Sequence, residues 1–184
     1  MQPEPPASAA EADRRPNPGI PQLLRRVPPS VYGGLVMAII GALGWASGVP
    51  WLFPSLGPTI AIQSEAPEHP AARPWSVVVG HLIGAAVGFA AVRLTGVIHE
   101  RPVNVSHVLT LARVVAAAGA VFASMALQTL AHARHAPAQA TTLLIVVGAL
   151  DADLHGAFVL AAGIVLVAIL GEGVRRLKHA AAVA

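Results

Sequence analysis

The run Trp75-Ser76-Val77-Val78-Val79-Gly80-His81-Leu82-Ile83-Gly84-Ala85-Ala86-Val87-Gly88-Phe89-Ala90-Ala91-Val92 decides what kind of protein this is. It carries no Asp, Glu, Lys or Arg. As a helix rising 1.5 Å per residue it covers about 27 Å, close to the roughly 30 Å of hydrocarbon in a bilayer. Gly80, Gly84 and Gly88 recur at four-residue spacing and form a ridge on nearly one face, where another helix backbone can approach closely. Such a ridge first of all packs helices. His81 stands inside the same run. An ionisable residue within a span is expensive and is a functional candidate by default; the plainer reading is a neutral imidazole bonded to a neighbouring hydroxyl or carbonyl.

Outward from this run the pattern repeats. Apolar blocks cover Val31–Val49, Val114–Ala131 and Gly156–Val174, so four segments approach the length of a spanning helix. The chain has 184 residues, 55% hydrophobic and 11% charged, with a mean hydropathy of +0.65. An ordinary soluble domain carries about 25% charged residues. There is no cysteine, which excludes disulfides, iron–sulfur clusters and thiolate chemistry. The formal charge of +3 does not point to nucleic acid, because the basic residues sit beside apolar blocks and not among aromatics. The bilayer is the expected partner.

Residues 1–29 hold eight of the 16 prolines together with Arg14, Arg15, Arg25 and Arg26, without an apolar core for a signal peptide. They read as a disordered basic cytoplasmic tail. One transmembrane domain is expected over 30–178, followed by a short tail at 179–184.

Two shorter apolar pieces, Trp51–Ile62 and Pro137–Leu150, each lie between two long blocks. The chain therefore reads as two similar halves: long helix, Pro-led short segment, long helix. The fold class expected is an all-α membrane protein with four transmembrane helices and two half-helix or re-entrant segments. Paired, interrupted segments at corresponding places mark the binding site of many transporters. Positive charge fits two topologies equally. Four crossings put Arg93, Arg101, Arg175, Arg176 and Lys178 inside with the N-terminal arginines and leave Arg73 and Arg134 outside; six crossings exchange Arg73 and Arg134 for Arg93 and Arg101. Both place the termini in the cytoplasm, in what is expected to be a bacterial plasma membrane.

Pro58 and Pro137 suit helix starts, since proline has no N–H to lose in the first turn. A helix that begins inside the membrane aims unpaired N–H groups and a partial positive charge at the interior, and such an end attracts anions. Ser55, Gly57 and Thr59 on one segment, and His135, Gln139, Thr141 and Thr142 on the other, would supply hydrogen bonds to a small anion, joined by His81. The loop containing Glu68, His69 and Arg73 would form an entrance; its plain alternative is a solvated connector. Glu172 and Arg175 stand three apart, as a structural ion pair would. His132, His135, Asp151, Asp153 and His155 have spacings compatible with zinc, and His132, His135, Asp151 and His155 carry the competing reading, a membrane metalloprotein or enzyme. No metal or other cofactor is assigned.

Three stretches resemble one known family. Pro54-Ser55-Leu56-Gly57-Pro58-Thr59, then Pro70-Ala71-Ala72-Arg73-Pro74 followed by Gly80-His81, and finally His135–Leu143, are similar to the HPP family of integral membrane proteins, whose namesake motif reads His-Pro-Pro. Here that motif is His135-Ala136-Pro137, Gln139 replaces a glycine, and Trp75-Ser76 stand where the family has Arg-Asn. The resemblance covers residues 30–176. It implies a four-helix membrane protein, and some plastid and cyanobacterial members are associated with nitrite transport. Carried over by motif position, it draws attention to Gly57, Thr59, Pro70, Pro74, His81, His135, Pro137 and Thr141.

The combined expectation is a non-enzymatic transporter or channel for a small, nitrite-like inorganic anion. Uptake against a negative-inside potential costs about 2.3 kcal/mol per 100 mV, so a proton carried by histidine is the expected coupling ion. A non-transporting structural or regulatory subunit is the third reading. Four helices make a thin wall around a polar path, and a homo-oligomer is expected.

Overall fold

A computed structural model describes residues 26–183. The expected disordered tail lies outside the described residues up to position 25. Residues 26–28 lead directly into the first helix.

The elements are α1 (Pro29–Ser47), α2 (Leu56–Glu65), a 3-10 turn (Pro70–Ala72), α3 (Pro74–Leu94), a second 3-10 turn (Val97–His99), α4 (Val103–Ser106), α5 (Leu111–Leu130), α6 (Ala138–Val146) and α7 (Leu154–Val183), with no strand among the described residues. Four of them, α1, α3, α5 and the Leu154–Ala180 part of α7, are long and apolar enough to cross a membrane. Proline opens α1 and α3 at positions where no N–H is needed. Gly48 ends α1 at φ 70°, a left-handed conformation that glycine adopts without a Cβ clash. α7 continues to Val183, so residues 179–183 of the expected tail prolong a helix, and position 184 lies outside the described residues.

Side-chain-to-backbone bonds fix which ends lie together. Lys178 Nζ donates to Val27 O (2.6 Å), Arg175 Nη1 to Pro67 O (3.4 Å) and Trp75 Nε1 to Ala131 O (3.2 Å). The starts of α1 and α3 and the ends of α2, α5 and α7 therefore share one end of the bundle, called proximal here. At the distal end, Arg93 Nη2 donates to Ala152 O (2.8 Å), Val103 N to Val147 O (3.0 Å) and Arg113 Nη1 to Val146 O. The chain thus reverses direction at every element of each half. Of the two charge assignments, this direction is the six-element one, which groups Arg73 and Arg134 with the termini.

The halves α1–α2–α3 and α5–α6–α7 run oppositely and exchange their short helices. α2 packs on its own α1 and on α7, while α6 packs on its own α5 and on α3. Each short helix thus lies between a long helix of its own half and one of the other. Outside, Leu35, Leu43, Phe122, Met125, Phe158 and Ile169 are among many exposed large apolar side chains, as a lipid-facing surface requires. Inside, Ile40, Leu56, Ile145, Leu160 and Ile164 form the apolar core.

Candidate functional site

Thr59 is the fourth residue of α2 and Thr141 the fourth residue of α6. The two first turns enter from opposite ends and meet at one imidazole. His81 Nε2 lies 3.0 Å from Thr59 Oγ1, and His81 Nδ1 lies 2.8 Å from Thr141 Oγ1. Being the eighth residue of a 21-residue helix, His81 stands about 10 Å along an axis of about 31 Å. The place is inside the bundle, and Thr59, His81 and Thr141 are all 0% exposed.

His135 completes the cluster from just before α6. Its Nε2 lies 3.0 Å from the same Thr59 Oγ1, and its Nδ1 2.9 Å from the carbonyl oxygen of Ala71. The two rings meet edge-to-face with centroids 4.9 Å apart. Thr59 Oγ1 is also 2.8 Å from Ser55 O. Hydrogen counting then restricts the states. A carbonyl only accepts, so His135 Nδ1 carries a hydrogen. The Thr59 hydroxyl has one hydrogen and two acceptors to serve, Ser55 O and a neutral His135 Nε2. With both rings neutral, Thr141 donates to His81, His81 donates to Thr59, Thr59 donates to His135, and His135 donates to Ala71. The Ser55 carbonyl is then left without that hydrogen. One added proton on His135 Nε2 reverses its bond, and the Thr59 hydroxyl turns to Ser55.

The surrounding sequence builds this seat. Gln128 Oε1 accepts from the backbone N–H of His135 (3.0 Å), while Gln128 Nε2 donates to Ser124 Oγ (3.0 Å). Thr142 Oγ1 lies 3.1 Å from Gly84 O and 3.2 Å from Ala138 O. The glycine ridge of α3 makes this approach feasible. A Cβ on Gly84 would lie 2.7 Å from Ala138 O, one on Gly80 2.8 Å from His135 Cβ, and one on Gly88 3.1 Å from Ile145 Cδ1. The surface facing the ridge is therefore α6. Gly41 and Gly44 of α1 instead meet Leu52, Val49 and Trp51, and the capping Gly48 faces open space.

Other expected residues fall nearby or apart. Ser55 is buried at the N-cap of α2 with no partner for its Oγ. Gly57 is half-buried with open space about it. Gln139 borders, with His135, Gln128 and Arg134, a cavity of about 400 Å³. Its Oε1 has no partner. Glu68, His69 and Arg73 remain at the proximal surface: His69 Nδ1 accepts from Ala71 N (3.1 Å), and Glu68 pairs with His179. Arg175 and Glu172 form the expected pair, with bonds of 2.6 and 2.9 Å.

The competing metal cluster does not assemble. His132 and His135 lie toward the proximal end and Asp151 and His155 at the distal end, and no group of three or more potential ligands occurs among the described residues. Both nitrogens of His135 already have partners.

Six buried polar residues were outside the expected set: Gln63, Ser64, Ser76, Arg113, Ser124 and Gln128. Arg113 Nη2 donates to Glu100 O (3.0 Å), Arg101 O (3.2 Å) and Val97 O (3.3 Å), and its Nε lies 3.2 Å from Glu100 Oε2. It gathers distal carbonyls, including that of Val146 at the end of α6. The available signal was a lone arginine at the edge of an apolar block, and Ser124 and Gln128 one turn apart within that block.

A family model described as "HPP, transmembrane region" matches residues 18–181 of the chain. No curated protein and no solved structure matches it.

Proposed function

We propose, from the premise that this chain belongs to the HPP transmembrane-region family, that it carries a small monovalent inorganic anion, nitrite-like in size, across the membrane together with one proton. The observation that carries this reading is the meeting of two half-helix N-terminal turns at His81. Contrary to the expectation of unpaired amides, the first-turn N–H groups of Leu56, Thr59, Ala138, Gln139 and Ala140 are taken up by carbonyls just before them. What the two turns offer is the hydroxyl of Thr59 at one nitrogen of the buried His81 ring and that of Thr141 at the other. Threonine hydroxyls and imidazole N–H groups there replace water around an anion. The same groups are fully buried and bonded to one another, so an anion enters only as the threonine–histidine bonds part. That favours a gated carrier over an open pore.

Burial supplies the coupling. A charge taken into a dry site without a partner is strongly disfavoured, for an imidazolium as for an anion. Together they are neutral. His135 is the proton carrier in this reading, because its protonation gives every short contact of Thr59 a hydrogen. His81 stays neutral and positions the anion between the two threonines.

Anion flux into liposomes containing the purified protein tests the assignment. His81→Ala and His135→Ala are each expected to lower flux at least about tenfold, the weight of a lost charge-assisted hydrogen bond. Unchanged flux in both variants would end the proposal.

A further inference from the structure

Gln63 is 0% exposed, and neither its Nε2 nor its Oε1 has a hydrogen-bond partner. It lies on the inner face of α2, four residues after Thr59 and eight after Ser55, whose Oγ is equally without a partner. Ser55, Thr59 and Gln63 thus form a polar ladder with rungs about 6 Å apart on one helix face. The Gln63 amide presses against Gly171 of α7, where a Cβ would overlap its oxygen, carbon and nitrogen. Beyond it, Ser64 borders a cavity of about 350 Å³ at the proximal end, lined also by Arg26, Glu65 and Lys178.

The other half of the chain shows what packing alone needs at this point. Ile145 is the eighth residue of α6, as Gln63 is of α2, and it meets Gly88 as Gln63 meets Gly171. Hydrocarbon fills that place well. An amide with all its hydrogen bonds unmade is costly there, and a purely structural role gives no reason to keep it.

We propose that Gln63 is a binding station for the transported species in its protonated, uncharged form, one turn from the His81 seat toward the proximal cavity. This rests on the anion-carrier reading of that seat. The chemistry of the amide selects the form. It presents one acceptor beside an N–H donor, and the acid of a weak oxyanion presents an O–H donor beside an oxo acceptor, so the two close a pair of hydrogen bonds. A bare anion offers acceptors only and would face the amide oxygen. The step is a proton transfer: the N–H proton of the His135 imidazolium passes to an anion oxygen, leaving neutral imidazole and neutral acid. The acid moves to Gln63 and dissociates in the water of the proximal cavity, returning one proton and one anion. The substrate class is therefore anions of weak oxyacids, with formate or nitrite as probes.

Flux of formate, nitrite, nitrate and chloride is measured in liposomes for the wild-type protein, Gln63→Leu and His81→Ala, with thermal melting of each purified protein. The wild type is expected to carry formate and nitrite and to exclude nitrate and chloride. Gln63→Leu is expected to lose about tenfold in flux while melting no lower than wild type, since it removes an unbonded buried amide. Wild-type flux in Gln63→Leu, or nitrate and chloride carried as fast as nitrite, overturns this proposal and leaves the His81 seat standing. A wild-type protein that carries none of the four overturns the seat itself. If the leucine variant does not fold, the selectivity of the wild type still decides.

Discussion

At the scale of single residues, the Thr59 hydroxyl is the point on which the site turns. It is one donor placed between Ser55 O and His135 Nε2, while His81 Nε2 approaches its lone pairs. Thr59→Val keeps the shape and removes the hydroxyl. It is expected to cut flux at least about tenfold and to flatten the dependence of flux on external pH, because protonated His135 then loses the hydroxyl that accepts its Nε2 hydrogen. Flux measured from about pH 8 down to about pH 4 checks this, since burial disfavours the His135 imidazolium and moves its titration below the usual histidine range. A Thr59→Val protein with the wild-type profile would refute this role of the hydroxyl. Arg113 carries a prediction of stability. Arg113→Leu leaves the carbonyls of Glu100, Arg101 and Val146 without their donor, and the fully buried one, that of Val146, costs roughly 1–3 kcal/mol as an orphan. A marked fall in melting temperature in detergent is expected. His81, His135 and Thr59 were legible because a titratable or hydroxyl group in an apolar run has few innocent explanations. Gln63 was not, since its burial depends on Gly171, more than a hundred residues away in sequence.

Among elements, the contact of α3 with α6 is the one the glycines make possible. Gly84→Val would drive side-chain carbons into Ala138 O and Thr142 Oγ1 and push α6 outward, at roughly 1–3 kcal/mol for overpacking. Lower thermal stability and lost flux are both expected. Gly119 and Gly173 have nothing within 4 Å of an added Cβ, so Gly119→Ala and Gly173→Ala serve as controls, neutral or stabilising by up to about 1 kcal/mol. The ridge itself was readable as a period of four. Its partner was not, because spacing reports that a face admits a backbone and is silent about which one. Segment length identified α2 and α6 as too short to cross, but their exchange between halves arises from long-range packing.

For the molecule as a whole, the chain directions make the halves inverted copies, with Thr59 and Thr141 in matching places on either side of His81. Charge alone left this open because Arg73 with Arg134, and Arg93 with Arg101, exchange sides between the alternatives. The absence of cysteine makes the arrangement directly testable. The single variants Glu68→Cys and Arg134→Cys are expected to react with an impermeant thiol reagent from one side of the membrane, and His99→Cys and Asp151→Cys from the other. Labelling of Arg134→Cys and Asp151→Cys from the same side would contradict the inverted arrangement.

The central claim is that the two half-helix turns around His81 carry one anion with one proton. It is tested most directly by recording proton and nitrite entry together in liposomes while the membrane potential is set. An uncoupled anion would redistribute about 50-fold for each 100 mV, about 2.3 kcal/mol per charge. The predicted result is one proton for each nitrite, a rate that does not follow the potential, and loss of both movements in His81→Ala. Nitrite entry that follows the potential without proton movement, or that survives in His81→Ala, would contradict the account.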